Sequence, residues 1–227
     1  MRDLSNLPLD LLRRAIERIE NARLAYDPHH IVRFAAISKY ASIAQIAELY
    51  ACGQRAFGEN KVQDLAQKSE NLAALPIEWH FVGRIQSNKI GKLLDLRPAL
   101  IHSIASLAQA RQIDDRLAKI GCDQRALLQI NSAREAEKSG VLPEVATQEY
   151  MAILESCPRI KLEGVMTIGS HSGEKSDVIK SFEITRDIFD RLPNATTLSM
   201  GMSGDYELAI KNGANLLRLG SILFNAE

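Results

Sequence analysis

Disulfide spacing, a net charge and long apolar runs are all missing from this sequence of 227 residues. Its three cysteines show no CxxC spacing, which favours reduced thiols in the cytosol over a disulfide framework. Lys plus Arg equals Asp plus Glu at 28 each, which argues against a dominant electrostatic attraction to nucleic acid or to an anionic membrane. No window approaches a membrane span, and the N-terminus lacks the apolar stretch of a signal peptide. We therefore expect a cytoplasmic protein that binds neither nucleic acid nor membranes.

What the chain does contain is a regular alternation of short apolar runs with segments of helical periodicity. Strict alternation predicts parallel strands joined by right-handed crossovers, and eight strands are the number that closes a (β/α)8 barrel. We predict one such TIM barrel over residues 1–227, with an extra N-terminal helix; an open doubly wound sheet is the alternative. The predicted strands are 31–38, 55–58, 78–83, 99–104, 126–131, 162–168, 196–200 and 215–220, and the predicted helices between them are 42–52, 60–74, 86–95, 106–120, 143–156, 175–191 and 204–213.

Lys39 directly follows the apolar run FAAIS (residues 34–38), at the end of the first predicted strand. In a TIM barrel, functional residues lie where the strands end. A lysine there can be a solvated stem with its ammonium in water, or an amine that is desolvated in a pocket and able to form a Schiff base. The residues alone favour the solvated form.

The loops after strands 7 and 8 are the recurrent phosphate site of this fold. Here they read SMGMSGD (199–205) and RLGS (218–221), with glycines for close backbone approach and serine hydroxyls as donors. Ser203 also has the character of an N-cap for the helix that follows, where free N–H groups would meet an anion. The alternative is a pair of plain Gly/Ser turns that bind nothing.

Side chains alternate along a strand, so Arg218 is expected to point into the barrel while Leu217 and Leu219 face the helices. Closing the barrel pairs strand 8 with strand 1, which would bring Arg218 next to Lys39. Two neighbouring cations there call for an anionic or polar group between them, such as a phosphorylated ligand with a carbonyl. A structural arginine satisfied by a carboxylate, for example Glu59, is the alternative.

Seven segments together resemble, in order and spacing, the pyridoxal phosphate homeostasis proteins, which have a single (β/α)8 barrel of the alanine racemase N-terminal type. The resemblance covers about residues 30 to 225. It implies that Lys39 carries pyridoxal 5′-phosphate (PLP) covalently as an internal aldimine. The segments are AAISKYAS, GQRAFGENKVQD, WHFVGRIQSNK, HSIAS, GVMTIGS, LSMGMSGDYELAI and LLRLGS.

The resemblance also implies roles for eight further residues in binding the cofactor. Arg218 would face the pyridine nitrogen, and His80 and residues 86–89 would at most border the pocket. The chain departs from the family pattern after the lysine, with Tyr40, Ala41 and Ser42 instead of Thr or Val and then Lys-Pro, and in its tail, LGSILFNAE. Phosphate contacts are implied for Ser203, Gly220 and Ser221, with Ser199 and Met202 close by, and ring contacts for Asn60 and Met166.

The function that the resemblance implies is a PLP carrier that buffers or delivers the cofactor with little turnover. An arginine at the ring nitrogen disfavours a protonated ring and so weakens carbanion stabilisation. The chain also ends directly after the eighth strand, without the second domain of a racemase. PLP-dependent apo-enzymes are the expected recipients, and the protein is expected to be a monomer or a weak dimer. A racemase-like enzyme, a Schiff-base aldolase and an inactive scaffold are the alternatives.

Overall fold

Eight parallel strands close into a barrel in the computed structural model, which describes residues 7–170, 172 and 174–224. The strands are β1 Arg33–Ile37, β2 Ala56–Glu59, β3 Glu78–Phe81, β4 Leu100–Ile104, β5 Gln124–Ile130, β6 Ile160–Thr167, β7 Thr197–Met202 and β8 Leu216–Leu219. Each strand pairs with the next along the chain, and β8 pairs with β1 to complete the ring. The predicted (β/α)8 barrel is confirmed, and the open sheet is wrong.

Helices follow the strands and one more precedes them, which confirms the extra N-terminal helix. The predicted helix 86–95 is divided into a 3-10 turn, Ser87–Lys89, and a short α-helix. One helical turn after β8 was not predicted. The α-helices are α1 Leu7–Tyr26, α2 Ile43–Ala51, α3 Val62–Asn71, α4 Ile90–Asp95, α5 Leu107–Ile120, α6 Pro143–Ser156, α7 Lys175–Phe189, α8 Tyr206–Lys211 and α9 Ser221–Phe224.

The strands are buried on both faces because helices cover the outside of the ring. All five residues of β4 are buried, as expected for a parallel sheet whose strands read as continuous apolar runs. The helices bury one stripe each; in α5 this stripe is Ala110, Ile113 and Leu117. None of the helices in the described part of the chain is long and apolar enough to span a bilayer.

The register of β1 against β8 decides which side chains reach the barrel interior. Ala35 lies opposite Arg218, so these two residues share a face, and Leu217 and Leu219 share the other one. Gly58 of β2 pairs with Ile37 of β1 on the interior face. The parity argument from the sequence therefore places Arg218 correctly.

Strand β7 runs two residues further than predicted because Gly201 lies within the strand instead of ending it. Its φ is +94°, and a Cβ there would lie 2.6 Å from the Cβ of Ala209 in α8. The pairing with β8 shifts register between Ser199 and Met202, which is the irregularity that such a glycine accompanies. The helix can therefore pack close to the strand end that leads into the functional loops.

Replacing Gly164 of β6 by alanine is expected to lower the free energy of unfolding by about 3 kcal/mol. Its φ is +150°, and an added Cβ would lie 2.0 Å from the carbonyl oxygen of Thr197 in β7. Urea unfolding measures the change. Gly204→Ala is the control, because a Cβ there meets nothing within 4 Å. Equal stability of the two variants would contradict the account.

Candidate functional site

A cavity of about 600 Å³ opens at the carboxyl ends of the strands, where TIM barrels hold their functional sites. Its volume lies within the range of small-molecule pockets. Residues from β1, β6, β7, β8 and the loops after them form most of its wall. Eight of the nine residues that the sequence predicted line it, namely Lys39, Asn60, Met166, Met202, Ser203, Arg218, Gly220 and Ser221.

Lys39 lies on the turn after β1 with an exposed side chain. Its Nζ is 4.8 Å from the ring centroid of Tyr40, which is itself 90% exposed and lines the cavity. This contact is a cation–π interaction at a solvated position. Of the two forms open from the sequence, the structure therefore shows the solvated amine, at the wall of a cavity that a small molecule can enter.

The backbone directly before Lys39 is held by a buried ion pair. Lys68 Nζ donates to Glu59 Oε1 (2.7 Å) and to the carbonyl oxygen of Ser38 (2.6 Å), and Ser38 Oγ donates to the same Oε1 (2.6 Å). Glu59 is fully buried and the Lys68 side chain is 10% exposed. The contacts fix both the hydroxyl and the carbonyl of Ser38, and so the start of the turn that carries Lys39.

Sequence reasoning missed Lys68, although a signal for it exists. Val62, Leu65 and Lys68 recur every three residues along α3 and form its buried face. A lysine at such a position needs a buried partner, because its ammonium is otherwise desolvated at a high cost in free energy. The partner is Glu59, which is therefore not available to Arg218, and the alternative of an Arg218–Glu59 pair is wrong.

Arg218 is a buried cation that forms no ion pair with any carboxylate among the described residues. It is 4% exposed, and it donates from NH1 to Ser199 Oγ and from NH2 to the carbonyl oxygen of Thr167, both at 2.7 Å. Burial lowers its pKa to about 10, while the negative charge of Asp205 acts in the opposite direction. Arg218 is thus still charged at neutral pH. Together with Lys39 it gives the cavity wall a positive character that suits an anionic ligand.

The loops after β7 and β8 are tied to each other at the cavity rim. The backbone N–H of Gly220 donates to Ser203 Oγ over 3.0 Å. Ser203 is not the N-cap of α8, so that prediction is wrong. The helix begins at Tyr206, its N-cap is Asp205, and Asp205 Oδ1 accepts from the backbone N–H of Met202. Ser203 instead accepts the hydrogen bond that joins the two loops.

Ser199 lies below the cavity and does not line it. It is fully buried and belongs to a row of polar side chains in the barrel interior. His102 Nδ1 lies 3.0 Å from Ser199 Oγ, and His102 Nε2 lies 3.0 Å from His80 Nδ1. Neither histidine lines the cavity. Sequence reasoning missed His102, whose signal is its position in the apolar run ALIHSI.

Both histidines are neutral at pH 7. Burial, with smaller contributions from Arg125 and Arg33, lowers the pKa of His80 to about 4. Burial, followed by the charges of His80 and Arg218, holds the pKa of His102 well below its usual value. The row therefore carries one positive charge, on Arg218.

Residues 86–89 are not part of the cavity that holds Lys39. Gln86 and Ser87 line a second cavity of about 660 Å³, formed by the loops after β3, β4 and β5. Its wall is rich in hydroxyl and amide groups.

Comparison with known proteins gives a consistent picture. The family model described as alanine racemase, N-terminal domain, matches residues 9–227. The pyridoxal phosphate homeostasis protein of Helicobacter pylori strain J99 is 54% identical over 209 residues, which are 92% of this chain and 94% of that protein. PipY of Synechococcus elongatus, solved with PLP bound, is 30% identical with a TM-score of 0.78, over 91% of this chain and all of the other.

An alanine racemase of Clostridium difficile shares the fold, with 15% identity and a TM-score of 0.75. The match covers 96% of this chain and 57% of the racemase. At this identity the likeness concerns the barrel alone.

Lys68→Met is expected to lower the free energy of unfolding by about 3 kcal/mol, since it leaves the Glu59 carboxylate buried without its cation. Urea unfolding measures the loss. The double variant Lys68→Met/Glu59→Gln should recover most of it, because the unpaired charge is gone. Lys61→Ala, at an exposed neighbouring lysine, is the control. A Lys68→Met variant as stable as the control would show that the pair is not needed.

Stability is expected to fall on acidification because the native state keeps His80 neutral. Its pKa is about 4 when folded against an ordinary value of 6.5, so the unfolded chain binds the proton more readily between these values. The stability present above about pH 6.5 is therefore lost progressively toward about pH 4. His80 alone should account for about 2 kcal/mol by about pH 5. Urea unfolding at a series of pH values tests this, and the unfolding free energy of His80→Gln should depend less steeply on pH than that of the wild type. Parallel curves for the two proteins would contradict the prediction.

Proposed function

The chain belongs to the family of the pyridoxal phosphate homeostasis proteins, and from that premise we propose that it binds PLP in the cavity at Lys39. The cofactor is held reversibly as a Schiff base: the Lys39 amine condenses with the aldehyde and releases water. The protein buffers or delivers the cofactor instead of turning over a substrate. Residues 1–227 act as one PLP-binding domain.

One observation carries this proposal: a single cavity contains a primary amine, a buried guanidinium that forms no ion pair with the described residues, and a rim of serine and glycine. PLP has three groups that match them, namely an aldehyde, a ring nitrogen and a phosphate. In this proposal Lys39 binds the aldehyde and Arg218 donates to the ring nitrogen. Ser203, Gly220 and Ser221 bind the phosphate. Asn60, Met166 and Met202 supply the remaining wall. Ser199, which lies below the cavity, supports Arg218 and does not touch the ligand.

The character of Arg218 supports a carrier over an enzyme. When bound, PLP supplies an electron sink whose strength depends on protonation of its ring nitrogen. Arg218 carries only donors and stays charged, so it favours the unprotonated ring. The site therefore holds the cofactor in its less reactive form.

The cellular setting follows from the same proposal. Cys52, Cys122 and Cys157 are all free thiols, which supports a reducing compartment such as the cytoplasm. We place the protein there as a monomer or weak dimer that hands PLP to apo-enzymes.

Borohydride treatment of the protein with PLP is expected to add one reduced pyridoxyl group to the peptide that contains Lys39. Intact mass and peptide mapping give the measurement. Lys39→Ala should lose the label, whereas the exposed Lys61→Ala, whose side chain is not in the cavity, should keep it. PLP should also raise the unfolding temperature, because it binds the native state.

Two results would contradict the proposal. Labelling spread over surface lysines, with no preference for Lys39, would contradict a specific binding site at this lysine. Robust racemisation of amino acids by the pure protein would show that it is an enzyme and not a carrier.

A further inference from the structure

Four polar side chains cross the barrel interior from β3 to β8 in an unbroken row. The links are His80 Nδ1 to His102 Nε2 (3.0 Å), His102 Nδ1 to Ser199 Oγ (3.0 Å) and Arg218 NH1 to Ser199 Oγ (2.7 Å). All four residues are buried. Such a row is costly to build in a barrel that apolar side chains could fill, so its chemistry calls for an explanation.

We propose that His102 and Ser199 are positioning residues for Arg218: they form a hydrogen-bond chain of fixed direction that aims the remaining donors of Arg218 into the cavity. The direction runs from Arg218 through Ser199 and His102 to His80. The consequence for ligand choice rests on the proposed function, whereas the direction of the chain does not.

The direction follows from the arginine, which has five N–H donors and no acceptor. Ser199 Oγ therefore accepts from Arg218, and its own hydrogen needs an acceptor elsewhere. Among the described residues, His102 Nδ1 is the acceptor within hydrogen-bond distance of that hydroxyl. His102, being neutral, then carries its hydrogen on Nε2 and donates it to His80 Nδ1. His80 in turn carries its hydrogen on Nε2.

The reverse direction leaves a buried group unsatisfied. If His102 Nδ1 were the donor, Ser199 Oγ would accept twice and its hydrogen would have no acceptor in the described structure. An unmade hydrogen bond at a fully buried hydroxyl costs free energy. A protonated His102 has the same defect, and it also places a second cation beside Arg218.

The second terminal nitrogen of Arg218 also has a hydrogen-bond partner in the barrel. NH2 donates to the carbonyl oxygen of Thr167, whose Oγ1 lies 2.7 Å from Ser132 Oγ. Two of the five N–H donors are thus used within the barrel, and the other three form no hydrogen bond with the described residues. A guanidinium, which offers donors and no acceptor, selects a ring with an unprotonated acceptor nitrogen, and it rejects a pyridinium or an N-alkylated ring.

The first test needs no ligand. Long-range proton–nitrogen spectra of the protein labelled with ¹⁵N-histidine report which ring nitrogen carries the hydrogen. Both His80 and His102 are expected to be neutral with the hydrogen on Nε2, and the exposed His29 serves as the solvent reference. His80→Gln and His102→Gln assign the signals. A hydrogen on Nδ1 of His102, or a charged ring at neutral pH, overturns the proposal.

The second test compares the dissociation constants of PLP and of its N1-methyl derivative. The wild type should prefer PLP by about tenfold or more, the worth of one hydrogen bond from a charged donor. Ser199→Ala and His102→Phe should reduce that preference toward one, and His102→Gln, whose amide both accepts and donates, should retain more of it. Ser181→Ala is the control, because it removes a buried hydroxyl of α7 whose hydrogen-bond acceptor, among the described residues, is the carbonyl oxygen of Val178 in the same helix.

The outcomes separate the two proposals. If PLP binds and Ser199→Ala keeps the full preference, the positioning role is overturned while the proposed function stands. If PLP does not bind at all, the proposed function fails and the histidine spectra of the wild type still decide the direction of the chain. These spectra also decide it if Ser199→Ala does not fold.

Discussion

The pairing of the last strand with the first is the constraint on which the site depends. With Ala35 opposite Arg218, the interior face of β8 carries Arg218 just before Gly220, and that of β1 ends in Ile37, just before the turn of Lys39. A slip of one residue would turn Arg218 toward the helices and Leu217 and Leu219 into the cavity. The chemistry of the cavity is therefore set by backbone register. Barrel closure brings Lys39 and Arg218, which are 179 positions apart in the sequence, to one cavity.

In the described part of the chain, Lys68 and Arg218 are buried cations that are satisfied in different ways. Lys68 meets the carboxylate of Glu59 and the carbonyl of Ser38, so its charge is neutralised between the strands and α3. Arg218 meets only a hydroxyl and a carbonyl, and its charge is not neutralised by an ion pair with the described residues. The first arrangement pairs the two charges without a ligand and holds the backbone before Lys39, although Glu59 Oε2 has no hydrogen-bond partner among the described residues. The second has donors to spare and faces a cavity, which is the pattern of a binding group.

Much of the fold and part of the site could be predicted from the sequence, because alternation along strands and helices is a local property. The strand count, the extra helix and the inward direction of Arg218 all follow from it. Contacts between distant elements do not, which is why the sequence does not indicate the roles of Lys68 and His102 and why it wrongly predicts Ser203 as an N-cap. A serine before a helix has several backbone groups within reach. Here the N–H of Gly220 in the neighbouring loop donates to the hydroxyl oxygen of Ser203. Only the assembled barrel shows which of them it meets.

The solvated position of Lys39 bears on how a carrier differs from an enzyme built on the same barrel. Desolvation makes a lysine more nucleophilic, but it also keeps water away from the imine that forms. Lys39 is exposed, with the exposed Tyr40 beside it, so water would reach an imine formed at its amine. Since hydrolysis is the reverse of condensation, such a site would both load and release an aldehyde without a further catalytic group. Under the proposed function, the contacts to the ring and the phosphate would hold the ligand, and how firmly Arg218 and the two loops bind it would govern its release.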